Sequence, residues 1–338
     1  MIKLNRQWLT GVSGFLLLLG VSFFSLSLGA VIIPVTHLVD ALGNIFSNKS
    51  FISLNLVESI ILWHNHFPRV IVAIISGSVL AVSGLLIQAV TKNDLACPSL
   101  LGISQGVALT DVILLLFFPA ISGVSYFCFS LVGGLITASL IVLLAFSRSF
   151  SQSKLILSGI AINTLFYALS HLLILLFPEK AQSLLFNLNG SLMSVTKETY
   201  QILLVSLLFP VIFILLLLPK LKLFALSDAL QKSLGENVIA LKSIVLVIAV
   251  WLNVAVVSLI GPIFLFGLVV PQALRLMGVY DLKKRFILSL IFGALLMVIA
   301  DSIIRYFYSD NEIPIGIIIG IIAAPLFIFL IRVNKKES

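Results

Sequence analysis

The sequence predicts an all-α membrane protein that crosses the bilayer about ten times. Of its 338 residues, 60% are hydrophobic and only 10% are charged, which is above the roughly 45–50% apolar content of an ordinary soluble chain. Apolar stretches of about 20 residues, the length that spans bilayer hydrocarbon as a helix, recur from Leu9 to Ile331. Backbone polar groups have to be satisfied inside lipid, so such stretches form helices. We therefore expect one transmembrane domain over residues 1–338.

Proline, glycine and charged residues divide this apolar sequence into spans. The first stretch is longer than the ~7–15-residue core of a secretory signal, so we expect it to be retained as a helix. Small residues four apart, as at Gly77 and Ala81, favour close helix packing. Pro262, Pro271 and Pro325 predict kinked or short helices late in the chain. The predicted spans are 9–33, 68–91, 99–118, 124–147, 154–177, 199–219, 242–260, 262–278, 286–308 and 314–332.

The distribution of positive charge predicts the orientation of these spans. With the N-terminus in the cytoplasm, the inner segments hold sixteen of the 21 Lys and Arg residues. Membrane proteins carry such an excess on the cytoplasmic side. An even number of spans then places the C-terminus inside as well. The net charge of +8 is explained by membrane orientation, and we expect no nucleic-acid partner. The outer side keeps Lys49, Arg69, Lys180, Lys197 and Arg305.

The sequence lacks the motifs of common catalytic and metal sites. It has no G-x-x-x-x-G-K-[ST] phosphate loop, so the energy for any active process has to come from a partner or an ion gradient. No Ser/His/Asp or paired-carboxylate pattern is present, and the four histidines include a single His-x-His spacing. Cys97 and Cys128 form no metal-binding pattern. We therefore expect no enzyme activity, no cofactor and no resident metal.

The longest predicted inner segment outside the spans runs from Lys220 to Leu241. It is polar, it contains a helix-like stretch with Ser227 as N-cap, and it has a break at Gly235. These features favour a docking surface for another protein. A solvated linker is the alternative.

Several motifs, in order along the chain, resemble one known family. Residues 67–106 resemble its LPR run, its small-residue helix ending SGxxxQ and its RNPLAxPxxLGxSxG segment. Residues 157–165, 189–191 and 233–235 resemble its fifth-span motif, its M/N-G-S turn and its cytoplasmic SLG. GPIFLFGLVVPQALRLMG resembles its GPIxFxGLxxPHxxRLxxG, and ADSIIRYF begins a close likeness to its last two spans. The family is the FecCD type, the permease subunits of ATP-driven importers for ferric siderophores, haem and cobalamin. Three residues depart from its pattern: Asp94, Cys97 and Gln272.

The resemblance implies a function, a location and a set of partners. Two permease subunits, identical or paralogous, line a central path in the bacterial cytoplasmic (inner) membrane. Two cytoplasmic ATPases dock inside, and a soluble binding protein docks outside. We expect ferric siderophore as cargo, with haem and cobalamin as alternatives. A different class of function is an ion-coupled secondary carrier that uses Asp111 and Asp301, although Asp301 and Arg305 share a helix face and favour an internal ion pair.

Two groups of residues are candidates for the inner and central roles. The 220–241 segment is the expected ATPase-docking loop. Its expected apolar anchors are Leu226 and Leu230, and its expected turn consists of Leu234, Gly235 and Glu236. The second, fifth and eighth spans are expected to line the path, through Gln88, Ser158, Asn163 and Phe266.

A third group is expected to bind the binding protein outside. The resemblance implies that Arg69 and Arg305 each receive a glutamate from that protein, because the planar guanidinium suits a carboxylate. His66 is a candidate for added positive charge at low pH, with aromatic packing as the alternative. For the arginines the alternatives are a snorkelling anchor or, for Arg305, a bond to Asp301.

Overall fold

The protein is a bundle of apolar helices. The computed structural model describes residues 2–29, 31–39, 56–145, 152–193, 195–225, 228–233, 237–308 and 313–334, and every regular element in these ranges is helical. Seven helices are long and apolar enough to cross a membrane: Leu9–Ser27, Val57–Thr91, Gly123–Leu144, Lys154–Leu176, Lys197–Leu217, Val238–Ile260 and Leu282–Phe307. Three shorter apolar helical stretches lie at the other predicted spans: Ile103–Phe117, Phe266–Leu276 and Ile315–Pro325, the last being the first part of a longer helix.

We number the helices in chain order. A π turn, Leu62–His66, joins α2 to α3, and 3-10 turns at Pro178–Lys180 and Lys220–Ala225 precede α7 and α9. The helices are α1 (Ile2–Ser27), α2 (Leu56–Ile61), α3 (Phe67–Thr91), α4 (Ile103–Phe117), α5 (Gly123–Ala145), α6 (Gln152–Leu176), α7 (Ala181–Leu188), α8 (Lys197–Leu217), α9 (Asp228–Ser233), α10 (Val238–Ile260), α11 (Phe266–Leu276), α12 (Leu282–Phe307) and α13 (Ile315–Asn334).

Helix α3 lies at the centre of the bundle, packed against α10, α11 and α12. Gly77 of α3 faces Gly293 of α12 so closely that a Cβ on either glycine would overlap the carbonyl oxygen of the other. A Cβ on Gly84 would overlap the backbone of Gly267 in α11 in the same way. Lipid tails supply no hydrophobic drive between helices, so this close backbone contact holds them together. The predicted packing role of the small residues in this span is confirmed.

Helices α5, α6 and α8 present large apolar side chains on the outside of the bundle. Leu143, Leu175 and Val205 are each more than 70% exposed. A soluble protein rarely exposes an apolar surface of this extent. These faces therefore suit contact with lipid tails or with another membrane subunit, as expected for a multi-pass membrane protein.

Three interruptions of helical structure meet inside the bundle. They are residues 92–102 between α3 and α4, residues 261–265 between α10 and α11, and the turn that follows α7 at Asn189. Ser191 N donates to the carbonyl oxygen of Ile260 at 2.7 Å, and Gly316 N donates to that of Asn189 at 3.0 Å. Gly261 has a φ of 79°, and a Cβ there would overlap the carbonyl oxygen of Asn187. The chain thus joins the ends of α7, α10 and α13 at one place.

The late prolines lie beside or inside the helices near the end of the chain, and the predicted kinks stay a prediction. Pro262 lies just before α11, which has only 11 residues and contains Pro271. Pro325 lies inside α13. A proline removes one backbone donor from a helix, and a short or interrupted helix in a membrane protein is tolerated where the freed groups find other partners.

Candidate functional site

The helix interruptions line a partly open cavity of about 380 Å³ that holds several uncharged polar side chains, and we call it the polar cavity. Its apolar wall consists of Leu188, Pro262, Phe264 and Gly316, and among the described residues that line it only a tyrosine is ionisable. Irregular backbone at membrane depth is tolerated where it lines such a cavity. The polar lining residues are Ser99, Ser104, Gln105, Asn163, Tyr167 and Asn189.

Hydrogen bonds hold two of the cavity residues in place and leave a third available. Ser99 Oγ accepts from Leu265 N at 3.3 Å, which ties the α3–α4 connection to the start of α11. Ser104 Oγ donates to Oδ1 of Asn253 at 3.0 Å, which ties α4 to α10. Gln105 Oε1 is buried and has no hydrogen-bond partner among the described residues. Since a buried acceptor without a partner is costly, this oxygen is suited to a group that enters the cavity.

A buried ion cluster joins α3 and α12 at the predicted outer end of the bundle. Nε and Nη2 of Arg69 both lie 2.9 Å from Oδ1 of Asp301, and Nε of Arg305 lies 3.0 Å from Oδ2. The side chains of Arg69, Arg305 and Asp301 are 14%, 5% and 1% exposed. Two guanidiniums and one carboxylate leave one net positive charge in the cluster. The ion pair between Asp301 and Arg305, expected from their helical spacing, is confirmed.

The end of α1 completes the surroundings of Arg305. Nη1 of Arg305 donates to the carbonyl oxygen of Leu28 at 2.9 Å, and Nη2 donates to Oγ of Ser25. His66 lies beside them, buried, with Nδ1 2.8 Å from the carbonyl oxygen of Leu26. The structure therefore gathers all three predicted docking residues at one end of the bundle. It leaves Arg69 as the most exposed of the three.

A second polar cluster lies at the predicted inner end. Asp94 forms an ion pair with Arg275, and Nε2 of Gln272 donates to the backbone carbonyl of Asp94. Nη2 of the buried Arg285 donates to Oε1 of Gln88 at 3.3 Å. The α3–α4 connection is thus tied to α11 at two places, near Asp94 and at Ser99.

Comparison with known proteins decides the family. The model of the FecCD transport family matches residues 16–333. This chain belongs to the FecCD transport family. It is 33% identical over 321 residues to the Fe(3+)-citrate import system permease protein YfmE of Bacillus subtilis (strain 168). The matched region covers 93% of this chain and 96% of YfmE.

Two further likenesses support the assignment. The Iron(3+)-hydroxamate import system permease protein FhuB of Bacillus subtilis (strain 168) is 30% identical over 327 residues, covering 96% of this chain and 83% of FhuB. A solved inward-facing structure of an ABC transporter of the metal-chelate type superposes with a TM-score of 0.80 at 27% identity, covering 96% of this chain and 98% of that one. As a FecCD permease, this chain is a transport protein and not an enzyme.

Of the four residues predicted to line a path in this FecCD chain, one lines the polar cavity. Asn163 lies on its wall. Gln88 is buried against Arg285 near the inner end, and the hydroxyl of Ser158 bonds backbone carbonyls of α5 and of its own helix. Phe266 is fully buried at the start of α11. The path-lining role of these four residues stays a prediction.

The cavity residues that sequence reasoning missed lie beside motifs that it quoted. Ser99 and Gln105 belong to the segment ending LGISQG, Asn189 begins the Asn-Gly-Ser turn, and Phe264 follows Gly261 and Pro262. The available signal was the glycine or proline that interrupts each helix, because an interruption is where a polar side chain can face a cavity.

The predicted ATPase-docking residues of the FecCD chain are described only in part. Leu226, Leu234, Gly235 and Glu236 lie outside the described residues. Leu230 lies in the short helix α9 and is 54% exposed. A large apolar side chain on the outside of a short helix, in a segment predicted to lie outside the membrane, suits contact with a partner.

Proposed function

We propose that this chain forms half of the membrane path of an ATP-driven importer for ferric siderophores. The observation that carries the proposal is the uncharged polar cavity where the helix interruptions meet. A siderophore already satisfies the coordination of iron, so its path needs hydrogen-bonding and aromatic groups and no metal ligands. The cavity supplies amides, hydroxyls, Tyr167 and Phe264. Relatives named for the import of Fe(3+)-citrate and Fe(3+)-hydroxamate support this cargo.

Haem and cobalamin are the alternative cargoes, since each also carries its metal inside an organic ligand. The cavity lining does not separate them from siderophores by charge. Gln105 of α4 and Asn163 of α6 are two polar side chains that would contact any of these cargoes. The ion-coupled carrier is less well supported, because Asp301 is held between two arginines.

A transport assay tests the cargo. The permease, with its ATPases and binding protein in liposomes, is supplied with a ferric hydroxamate, ferric citrate, haem or cobalamin, each with and without ATP. We expect ATP-dependent uptake of a ferric siderophore, and none with an ATPase variant that cannot hydrolyse ATP. If only haem or only cobalamin were taken up, that compound would be the cargo and the siderophore proposal would be wrong. Uptake that follows an ion gradient without ATP would contradict the importer mechanism.

We also propose a ten-span topology with both termini in the cytoplasm. The seven long helices and three short apolar helices together equal the predicted number of spans, and the excess of Lys and Arg supports the orientation. A cysteine introduced at Lys232 or Lys284 of a variant without its two natural cysteines should resist an impermeant thiol reagent in intact cells. One introduced at Lys197 should react. Labelling at the first two positions would reverse the orientation.

The partners follow from this orientation. The 220–241 segment would contact one of two cytoplasmic ATPases, with the exposed Leu230 as one apolar anchor. The cluster of Arg69, Arg305 and Asp301 would face an extracytoplasmic binding protein and attract carboxylates through its net positive charge. A second permease, identical or paralogous, would complete the path in the bacterial cytoplasmic membrane. Its contact surface would be drawn from the exposed apolar faces of the bundle.

A further inference from the structure

Asp111 is a buried acid for which the described residues supply no basic partner. It lies in the middle of α4 and is 1% exposed. Ser130 of α5 donates a hydrogen bond from its hydroxyl to Oδ1 of Asp111, and the hydroxyl of Tyr126 lies close to both residues. Within the described part of the chain, no Lys, Arg or His side chain forms an ion pair with Asp111.

The described basic residues on the elements around α4 form no ion pair with Asp111, and Lys154, near the start of α6, is exposed. Lys180, in the 3-10 turn before α7, places its ammonium 3.4 and 3.3 Å from the carbonyl oxygens of Leu115 and Leu116, at the end of α4. His171 of α6 lies with Nδ1 3.0 Å from the carbonyl oxygen of Tyr167, within its own helix. Helix α10 has no ionisable residue beyond Lys242. The groups that face Asp111 are hydroxyls.

A second buried acid in the same bundle provides the contrast. Asp301 is also 1% exposed, but it contacts Arg69 and Arg305. A charged side chain inside the membrane is costly unless it is paired. Two guanidiniums make the ionised form of Asp301 favourable, whereas hydroxyls alone do not neutralise an ionised Asp111.

We infer that Asp111 is an intramembrane proton-binding site that stays occupied, so that its carboxyl group is a neutral acid. A protonated carboxyl carries one O–H donor and keeps acceptor capacity. It can therefore accept from Ser130 and donate to Tyr126 at the same time. An ionised carboxylate could only accept.

The protonated acid fastens three helices together. Nδ2 of Asn187 in α7 donates to the hydroxyl oxygen of Tyr126 at 3.3 Å. The network therefore runs from α4 through α5 to the end of α7. Leu188 and Asn189, which follow Asn187, line the polar cavity. Asp111 is thus a positioning residue for this wall of the cavity, a part of the inference that rests on the proposed transport function.

Infrared spectroscopy tests the protonation without any transport measurement. The purified permease in lipid should show the carbonyl band of a protonated carboxylic acid at neutral pH. The difference spectrum between the native chain and Asp111→Asn should contain this band. The spectrum of Glu179→Gln, which removes an exposed acid, is the matched control and should keep it. Absence of the band from the native chain, or its persistence in Asp111→Asn, would overturn the inference.

Uptake by variants tests the positioning role. Asp111→Asn keeps a neutral group with a donor and an acceptor, so uptake should stay within about twofold of the native rate. Asp111→Leu leaves the hydroxyl of Ser130 without its acceptor, and uptake should fall about tenfold, in line with the loss of one buried hydrogen-bond partner. Uptake should also fall in Tyr126→Phe, which keeps the ring and removes the hydroxyl.

The outcomes separate the inference from the proposed function. If Asp111→Asn were present in the membrane at native amounts and still lost uptake, a charge or an exchanging proton would be required. That result would overturn the inference. Normal uptake in both Asp111→Leu and Tyr126→Phe would remove the positioning role. A native chain that transports no iron chelate would contradict the proposed function, while the infrared result would still decide the protonation.

Discussion

Nε and Nη2 of Arg69 both lie 2.9 Å from Oδ1 of Asp301, so the guanidinium edge of α3 contacts a single oxygen of α12. The second oxygen is left for Arg305, whose Nε lies 3.0 Å away. One carboxylate thereby serves two arginines from two helices. The arrangement explains how α3 and α12 can bring two like charges together at one end of the bundle, because the acid between them offsets their repulsion.

Removing this acid should destabilise the protein strongly. Asp301→Asn leaves two largely buried guanidiniums without their common partner, and breaking a buried ion pair costs roughly 3–5 kcal/mol. Thermal unfolding in detergent should show a clear loss of stability relative to the native chain. Glu179→Gln is the control, since Glu179 is exposed and a surface change is usually worth under about 0.5 kcal/mol. Equal stability of the two variants would show that the cluster contributes little.

Docking of the binding protein is best tested at Arg69. Arg305 is 5% exposed and contacts Ser25 and Leu28 as well as Asp301, so reversing its charge would disturb the fold. Arg69→Gln should weaken affinity about tenfold at low salt, equivalent to about 1.4 kcal/mol, and the difference should shrink at high salt as charges are screened. Arg69→Lys should lose less, because it keeps the charge.

The control for docking is Lys197→Gln, which removes an exposed basic residue from the same predicted side. Its affinity for the binding protein should stay near the native value. Unchanged affinity of Arg69→Gln at low salt, with native thermal stability, would mean that docking uses another surface.

Coupling to the ATPase should depend on Gly235. The predicted turn in the 220–241 segment needs glycine if its φ is positive, since a β-branched residue resists that conformation. Gly235→Val should keep ATPase association but lower the transport obtained per ATP hydrolysed. Ser233→Val, at an exposed position two residues earlier, is the matched control and should stay coupled. Full coupling in Gly235→Val would count against this turn as the coupling element.

The polar cavity should control uptake through Gln105 and Asn163. Replacing either with leucine removes the hydrogen-bonding amide and fills part of the cavity, so the uptake rate should fall by about tenfold, comparable to the loss of a buried polar contact. Ser139→Leu is the control, because Ser139 lies in an apolar groove on the outside of α5. Native uptake by the double variant Gln105→Leu with Asn163→Leu would place the path elsewhere.

Close helix packing should make Gly84 sensitive to one added methyl group. Gly84→Ala would place a Cβ against the backbone of Gly267, and α3 and α11 would have to separate. Overpacking of this kind costs about 1–3 kcal/mol, which thermal unfolding would detect. Gly320→Ala is the control, since nothing lies within 4 Å of a Cβ there. A stable Gly84→Ala variant would mean that the two helices adjust easily.

Much of the helical structure is predictable from local sequence. The predicted span 242–260 corresponds to α10, Val238–Ile260, and the predicted span 286–308 corresponds to α12, Leu282–Phe307. The agreement has a physical basis, because an apolar stretch in lipid has to satisfy its own backbone hydrogen bonds and a helix does so within the segment. The motifs, read in order, likewise predicted the FecCD family.

Which side chains meet could not be predicted in the same way. Ser158, Phe266 and Asn163 were all predicted from sequence to line the path, and of these three only Asn163 lines the polar cavity. Helical phase does not select an inward face in a helix that is apolar all round. The choice depends on how each helix is rotated against its neighbours.

The sequence by itself therefore determined the membrane class, the approximate helix boundaries, the family and the spacing that pairs Asp301 with Arg305. Only the tertiary structure decided that Arg69 shares the same carboxylate, that Asp94 contacts Gln272 and Arg275, and that three helix interruptions line one cavity. The first set depends on residues close in sequence, whose chemistry acts within one helix. The second depends on contacts between distant segments, and these arise only when close packing at glycines such as Gly77 and Gly84 sets the helices side by side.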